Sequence, residues 1–341
     1  MDLLNAIVAL LNFVVIPATA YGAQLALGAL GVTLIYGILR FSNFAHGDTM
    51  ALGTGFVILI TWWLQAMGLH FGPLPTALIA LPFGIAVTAA FVLLTDRVVY
   101  RFYRRQKAAP VILVIVSMGV MFIMNGLTRF LIGVEEIRFD DGARFLINAG
   151  DFKAATGLAE GLAFKSTQAL TIVTAVVVVA ALFWFLDRTR TGKSMRAFSD
   201  NEDLALLSGI NPDKVVAVTW TISAGLAVIA GTLYGLDKAF KAFNYFQLRL
   251  PIFAAAIVGG LGNPLGAIAG GFLIAFSEVG FTYAWKKVAT YVLPDSLAPD
   301  GLAQLLSTDY KFAVSFAILV VVLLFKPTGL FTGERAWTRT P

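Results

Sequence analysis

Ten apolar stretches follow one another along the chain, separated by short polar breaks: residues 3–18, 22–39, 49–66, 74–95, 109–132, 168–186, 215–236, 250–262, 264–285 and 310–325. A membrane-crossing helix needs roughly 20 mainly apolar residues. The first and eighth stretches fall short of that alone, so the pattern predicts eight to ten membrane segments. Runs such as 169–186 are continuous rather than alternating, which argues against a β-barrel. The expected fold class is all-α: a polytopic transmembrane helical bundle in a single domain over residues 1–341, with broken helices.

Two breaks carry the most information. Residues 31–54 read GVTLIYGILRFSNFAHGDTMALGT. The apolar run stops at Arg40, a polar segment reaches Asp48, and apolar sequence resumes at Met50. Ser42, Asn43 and Asp48 are good N-caps, and Gly47 permits positive φ. Residues 258–266 read VGGLGNPLG, where four glycines and a proline cannot continue a helix undisturbed. Non-helical backbone at membrane depth persists only where protein or a water-filled pathway satisfies its polar groups. Transporters commonly place their pathway at such broken helices. One break in each half is the pattern of a transporter built from two related halves.

With 58% hydrophobic and 13% charged residues, the chain is no soluble globule, since those carry about 25% charged residues. The net charge of +5 does not point to nucleic acid. Its strongest basic cluster (Arg97, Arg101, Arg104, Arg105, Lys107) lies between two apolar stretches, where basic residues mark a cytoplasmic loop. Alternation from there puts 133–167, 237–249 and 286–309 outside, and 187–214 and the tail from Lys326 inside. Arg188, Arg190, Lys193 and Arg196 support the second inside loop. The N-terminus lacks the basic region and cleavage site of a signal peptide, so residues 3–15 are expected to stay.

The outer segment 133–167 holds Glu135, Glu136, Asp140 and Asp141, partly balanced by Arg138, Arg144, Lys153 and Lys165; a folded cap or hairpin fits it as well as a passive loop. The inner loop 187–214 carries helix punctuation. Ser199 or Asp200 can cap a helix with Glu202 and Asp203 in its first turn, and Gly209 is a natural terminator. Asn211-Pro212-Asp213 starts the next helix. Leu204, Leu207 and Ile210 are its candidate apolar contacts.

Catalytic and metal chemistry find little support. Cysteine is absent, and His46 and His70 have no second ligand at helical spacing. Asp48, two residues from His46, does not share its helical face. Thr191-Gly192-Lys193-Ser194 ends like a phosphate-binding loop, but Asp187 stands where the motif needs glycine and no strand precedes it. No cofactor is expected. Glu278 interrupts an apolar stretch, which marks a functional candidate by default; the rival readings are a place near the outer end, or a structural bond to a neighbouring helix. Arg129 and Asp237 lie near span ends and are expected to snorkel.

The strings 31–47 (GVTLIYGILRFSNFAHG), 192–211 (GKSMRAFSDNEDLALLSGIN), 255–271 (AAIVGGLGNPLGAIAGG) and the ending 312–329 together resemble the LivH-type permeases of branched-chain amino acid ABC importers, a group with urea and amide relatives. Their order and spacing match over nearly the whole chain, although 133–167 and 286–309 fit the family pattern less well. The resemblance implies a multi-pass subunit of the bacterial inner membrane. Its implied partners are a second, LivM-like permease or another copy of itself, two cytoplasmic ATPases and a periplasmic solute-binding protein. It places Asn43, Phe44, His46, Gly47, Gly259, Gly260 and Gly262, with Glu278 added from its depth, near the substrate pathway. It places Asp200, Glu202, Leu206, Gly209 and Ile210 where the permease docks on the ATPase. Branched-chain or other amino acids, urea, amides and aromatic acids all fit as solute. An ion-coupled secondary transporter, with Glu278 as coupling group, is the rival class.

Overall fold

The computed structural model describes residues 2–139, 141–292, 301 and 303–331. Met1, Asp140, residues 293–300 and 302 of the 286–309 loop, and the tail from 332 lie outside the described residues. Among the described residues, nine helices are long and apolar enough to cross a membrane. They are α1 (Asp2–Leu39), α2 (His46–Ala66), α3 (Ala77–Arg105), α4 (Pro110–Ile132), α6 (Ser166–Arg188), α9 (Pro212–Lys238), α10 (Ala242–Gly259), α11 (Pro264–Thr282) and α13 (Thr308–Phe325). Between them lie β1 (Phe145–Ile147), α5 (Ala149–Thr156), β2 (Phe164–Lys165), α7 (Arg190–Asp200), α8 (Glu202–Leu207) and α12 (Lys286–Val292). The all-α, polytopic bundle expected from the hydropathy pattern is the fold observed.

The first two apolar stretches form one helix, not two. A π-helical turn at Leu11–Val15, with Ile16 N–H bonded to the Leu11 carbonyl, joins them. The turn lies just before Pro17, whose missing N–H would interrupt a regular α ladder there. From Ala18 to Leu39 nearly every residue of α1 is buried, as befits a helix apolar all round. It is the central rod, with α9, α10 and α11 packed against it. Gly271 of α11 allows the closest of these approaches: a Cβ there would collide with the Ala26 backbone of α1.

Arg101 and Asp213 form an ion pair at 2.6 Å, Arg40 bonds the Ser199 carbonyl, and Leu330 N–H bonds the Val258 carbonyl at 2.8 Å. The loops 97–107 and 187–214 and the segment after α13 thus share one end of the bundle, the basic end. At the other end β1 and β2 pair antiparallel, Phe145 opposite Lys165. Asn5 and Asn12 of α1 accept from Glu160 N–H (3.2 Å) and Ala163 N–H (3.1 Å). The Glu160 carboxylate holds Lys287 at 2.7 Å and the Tyr291 hydroxyl at 2.9 Å. The described part of residues 133–167 therefore folds into a cap with a hairpin and a short helix at this end.

Three local expectations fail. The loop 237–249 ends early, because α10 begins at Ala242 and takes Arg249 into the helix. Asp237 does not snorkel; its side chain is 3% exposed and lies between Lys165 and Lys238. Ser199 and Asp200 close α7 rather than cap the next helix; Asn201 caps α8, accepting from Leu204 N–H at 3.0 Å. Sequence reasoning missed α7, an amphipathic helix that buries Gly192, Met195 and Phe198. Its start, capped by the Thr189 hydroxyl, contains the Thr-Gly-Lys-Ser string, which is helix rather than phosphate loop.

Candidate translocation site and coupling helices

Residues 40–45 leave the helix at Arg40, in the left-handed region at φ 57, and re-enter it at His46. None of Ser42, Asn43 or Asp48 caps α2 as expected. The Asn43 side chain instead closes the break, accepting from Ala45 N–H at 3.2 Å and from the Tyr100 hydroxyl at 3.2 Å. Phe44 N–H donates to the Ser117 hydroxyl of α4 at 3.1 Å, and the Phe44 ring stacks on Phe253 of α10 at 4.9 Å. Protein groups thus satisfy the interrupted backbone, as its position inside the bundle demands.

Behind the break stand Phe41, Tyr100 and Trp220, with ring centroids 5.6 and 5.1 Å apart. Tyr100 closes a second π-helical turn, Asp96–Tyr100. Asp96 opens it, accepts the Trp220 indole N–H at 2.7 Å, and forms a two-pronged pair with Arg104. The π turn, a feature frequent at functional sites, is thereby tied to α9 and to the break.

His46 is 1% exposed. Its Nδ1 lies 3.4 Å from the Ser223 hydroxyl, and its Nε2 lies toward Gly28 without reaching hydrogen-bond geometry. Gly31 makes room for the ring, since a Cβ there would strike it. Gly47 does the same for the stem of Arg249. Arg249 meets Asp48 at 3.4 Å, and Asp48 also accepts from the Asn125 amide at 2.8 Å. This Asp48–Asn125–Arg249 cluster was not anticipated from sequence. The available signal was Arg249 alone between Leu248 and Leu250.

The second break follows α10. Gly260 and Gly262 adopt φ of 104 and 84, and Asn263 caps α11 through Gly266 N–H at 3.2 Å. Gly259 and Gly266 touch backbone to backbone, which only glycine allows. Both breaks open toward the basic end, and Phe253 links them, six residues before Gly259. Glu278 lies apart, four residues from the hairpin end of α11. It is buried, accepts from the Ser315 hydroxyl of α13, and approaches the Tyr21 hydroxyl without bonding it.

The sequence-nominated docking residues all sit at the basic end. Asp200, Glu202 and Gly209 are exposed and Ile210 is half-buried. Leu204, Leu206 and Leu207 expose 61, 42 and 85% of their surface. The three leucines leave an exposed apolar patch on an otherwise polar helix pair. The patch is wired to the bundle through α7, where the Ser199 hydroxyl bonds the Gly37 carbonyl at 3.0 Å. Among the described residues no cluster of three metal-ligating side chains occurs.

Interrupted membrane helices, a folded cap at one end and an exposed helix pair at the other define a multi-pass membrane protein of the transport-permease class. The family described as "Branched-chain amino acid transport system / permease component" matches residues 15–323, and the chain belongs to that family. It is similar to the high-affinity branched-chain amino acid transport system permease protein LivH of Escherichia coli strain K12, 31% identical over 91% of each chain. It is similar as well to BraD, the protein of the same description from Pseudomonas aeruginosa, 30% identical over 91% of this chain and 92% of that one. The permease LivM of Escherichia coli matches more narrowly, 30% over 170 residues, 49% of this chain and 35% of its own. No solved structure matches.

Proposed function

We propose that this chain is the membrane-spanning subunit of an ATP-driven importer of amino acids, branched-chain ones first, in the bacterial inner membrane. The basic end faces the cytoplasm. There α8 docks on one of two ATPase subunits, with Asp200, Glu202, Leu206, Gly209 and Ile210 at the contact. A solute-binding protein docks on the cap at the opposite end. A second permease, LivM-like or another copy, completes the pathway near Asn43, Phe44, His46, Gly47 and the glycines at 259, 260 and 262. ATP hydrolysis belongs to the partners. Closure of the ATPases moves α7 and α8, and through Ser199 and Arg40 shifts the population of states at the first break.

The observation that carries this reading is the exposed leucine face of α8, which follows directly on α7, itself hydrogen-bonded through Ser199 to the end of the central helix. Solute identity rests on the names of the relatives. Glu278, bonded to Ser315, acts in it as a link between α11 and α13 rather than as an ion-coupling group. The test is uptake of labelled leucine into proteoliposomes holding the permeases, ATPases and binding protein. Uptake that needs ATP and every partner is expected; uptake by this chain alone, driven by an ion gradient, would overturn the proposal.

A further inference from the structure

Among the described residues, two Arg–Asp pairs inside the bundle are built differently. Arg104 grips Asp96 with both nitrogens, and Asp96 also holds Trp220; that is the geometry of a structural pair. Arg249 Nη1 lies 3.4 Å from Asp48 Oδ2, an ion pair without a hydrogen bond to that oxygen. Asp48 Oδ2 has no hydrogen bond although Asp48 is 1% exposed. The guanidinium is held from behind, its Nε donating to the Phe246 carbonyl at 3.0 Å and its centre 3.7 Å from the Phe246 ring. Nη1 contacts Met121 and Asp48. Among the described residues Nη2 makes no hydrogen bond.

Depth gives this meaning. Arg249 lies seven residues into α10, about 10 Å along a helix that rises 1.5 Å per residue. Charges at that depth face a partner or a water-filled cavity, not lipid. Yet the Arg249 side chain is 12% exposed, and Phe246, whose ring lies against its guanidinium, and Leu250, next in the chain, are exposed apolar residues. A cation with one free prong, a loosely held counter-ion and an apolar surround make a receptor for a small carboxylate with an apolar side chain.

We propose that Arg249 is a solute-recognition residue of the translocation pathway: its guanidinium receives the carboxylate of the acid in transit, and Asp48 holds it between passages. Gly47 is required because the Arg249 stem occupies the space of any side chain there. This rests on the importer reading above and adds a residue to it.

The chain has no cysteine, so Arg249→Cys places a single thiol on this subunit. In the complete importer, leucine uptake should fall about tenfold or more, the loss of one charged hydrogen bond, while ATP hydrolysis stimulated by loaded binding protein persists. An aminoethyl thiosulfonate should restore much of the uptake, its sulfonatoethyl counterpart should not, and leucine should slow both reactions. Undiminished uptake, a thiol inert to both reagents, or equal rescue by both would overturn the proposal. If the cysteine variant does not assemble, Arg249→Lys decides. A rise of about fivefold or more in half-saturating leucine, at unchanged ATP hydrolysis, supports the role; an unchanged value refutes it. If the wild-type importer carries a neutral amide instead of an acid, the Arg249 role falls and the importer reading stands.

Discussion

Ser199 and Gly37 are joined by a hydrogen bond of 3.0 Å between the hydroxyl of one and the carbonyl of the other. The two residues lie 162 positions apart, and the bond ties α7 to the last turn of the central helix. Arg40 reinforces it by bonding the Ser199 carbonyl. A displacement of α7 and α8 therefore reaches the first break without passing through a flexible loop.

Ser199→Ala together with Arg40→Ala should cut the stimulation of ATP hydrolysis by loaded binding protein severalfold. Two hydrogen bonds of about 1 kcal/mol each set that scale. Basal hydrolysis by the ATPases should change little. Stimulation equal to wild type would show that coupling runs elsewhere.

Gly209 sits at φ +81 with open space where a Cβ would go, so its substitution strains only the backbone. Gly209→Val should cost roughly 1–2 kcal/mol locally and lower uptake and stimulated hydrolysis while the protein still inserts. Gly209→Asn should be much milder, because asparagine tolerates the left-handed region. Assembly measured by pull-down of the ATPase separates loss of docking from loss of folding.

Removing Asp96 orphans both Arg104 and the Trp220 indole. Asp96→Ala should destabilise the protein by about 3–5 kcal/mol, as breaking one side of a buried pair does. Tyr100→Phe, which loses only the bond to Asn43, should cost about 1 kcal/mol. Thermal unfolding in detergent gives the ranking directly.

At the hairpin end, burial raises the Glu160 pKa, but hydrogen bonds from Lys287 and Tyr291 outweigh it and hold the carboxyl below its ordinary value. The same bond raises the Tyr291 pKa. A depressed carboxylate contributes stability that is complete above its unfolded pKa, about 4.3, and is lost as pH falls through the lower folded value. Amide exchange of residues 158–165 and 286–292 should therefore accelerate together below about pH 4. In Glu160→Gln they should already exchange faster at neutral pH, with the acid dependence flattened.

The spans were legible because each is a long apolar run, and the breaks because glycine, proline and polar residues interrupt those runs. The merger of 3–18 with 22–39 was not, since Thr19 and Tyr21 read as a boundary; the Thr19 hydroxyl in fact bonds back to the Val15 carbonyl within the helix. The helix α7 was hidden by its basic residues, whose exposed face masks a buried stripe of Met195 and Phe198. Asp48, Asn125 and Arg249 come from three helices, up to 201 positions apart in the sequence, and no local pattern announces a pairing of that kind. The caps failed at Asn43 and Asp48 because tertiary partners, Tyr100 and Asn125, claimed side chains that propensity assigns to the helix start.

The central helix has 38 residues, about 57 Å at the usual rise, whereas a bilayer with its headgroups measures about 40–45 Å. A rod of that size must lean or protrude. In either posture its two extremities reach opposite ends of the bundle: Asn5 and Asn12 grip the cap, and Gly37 grips α7, the helix just before the one that carries the leucines. Under the importer reading proposed above, arrival of cargo on one side and consumption of fuel on the other tug on the same piece of polypeptide.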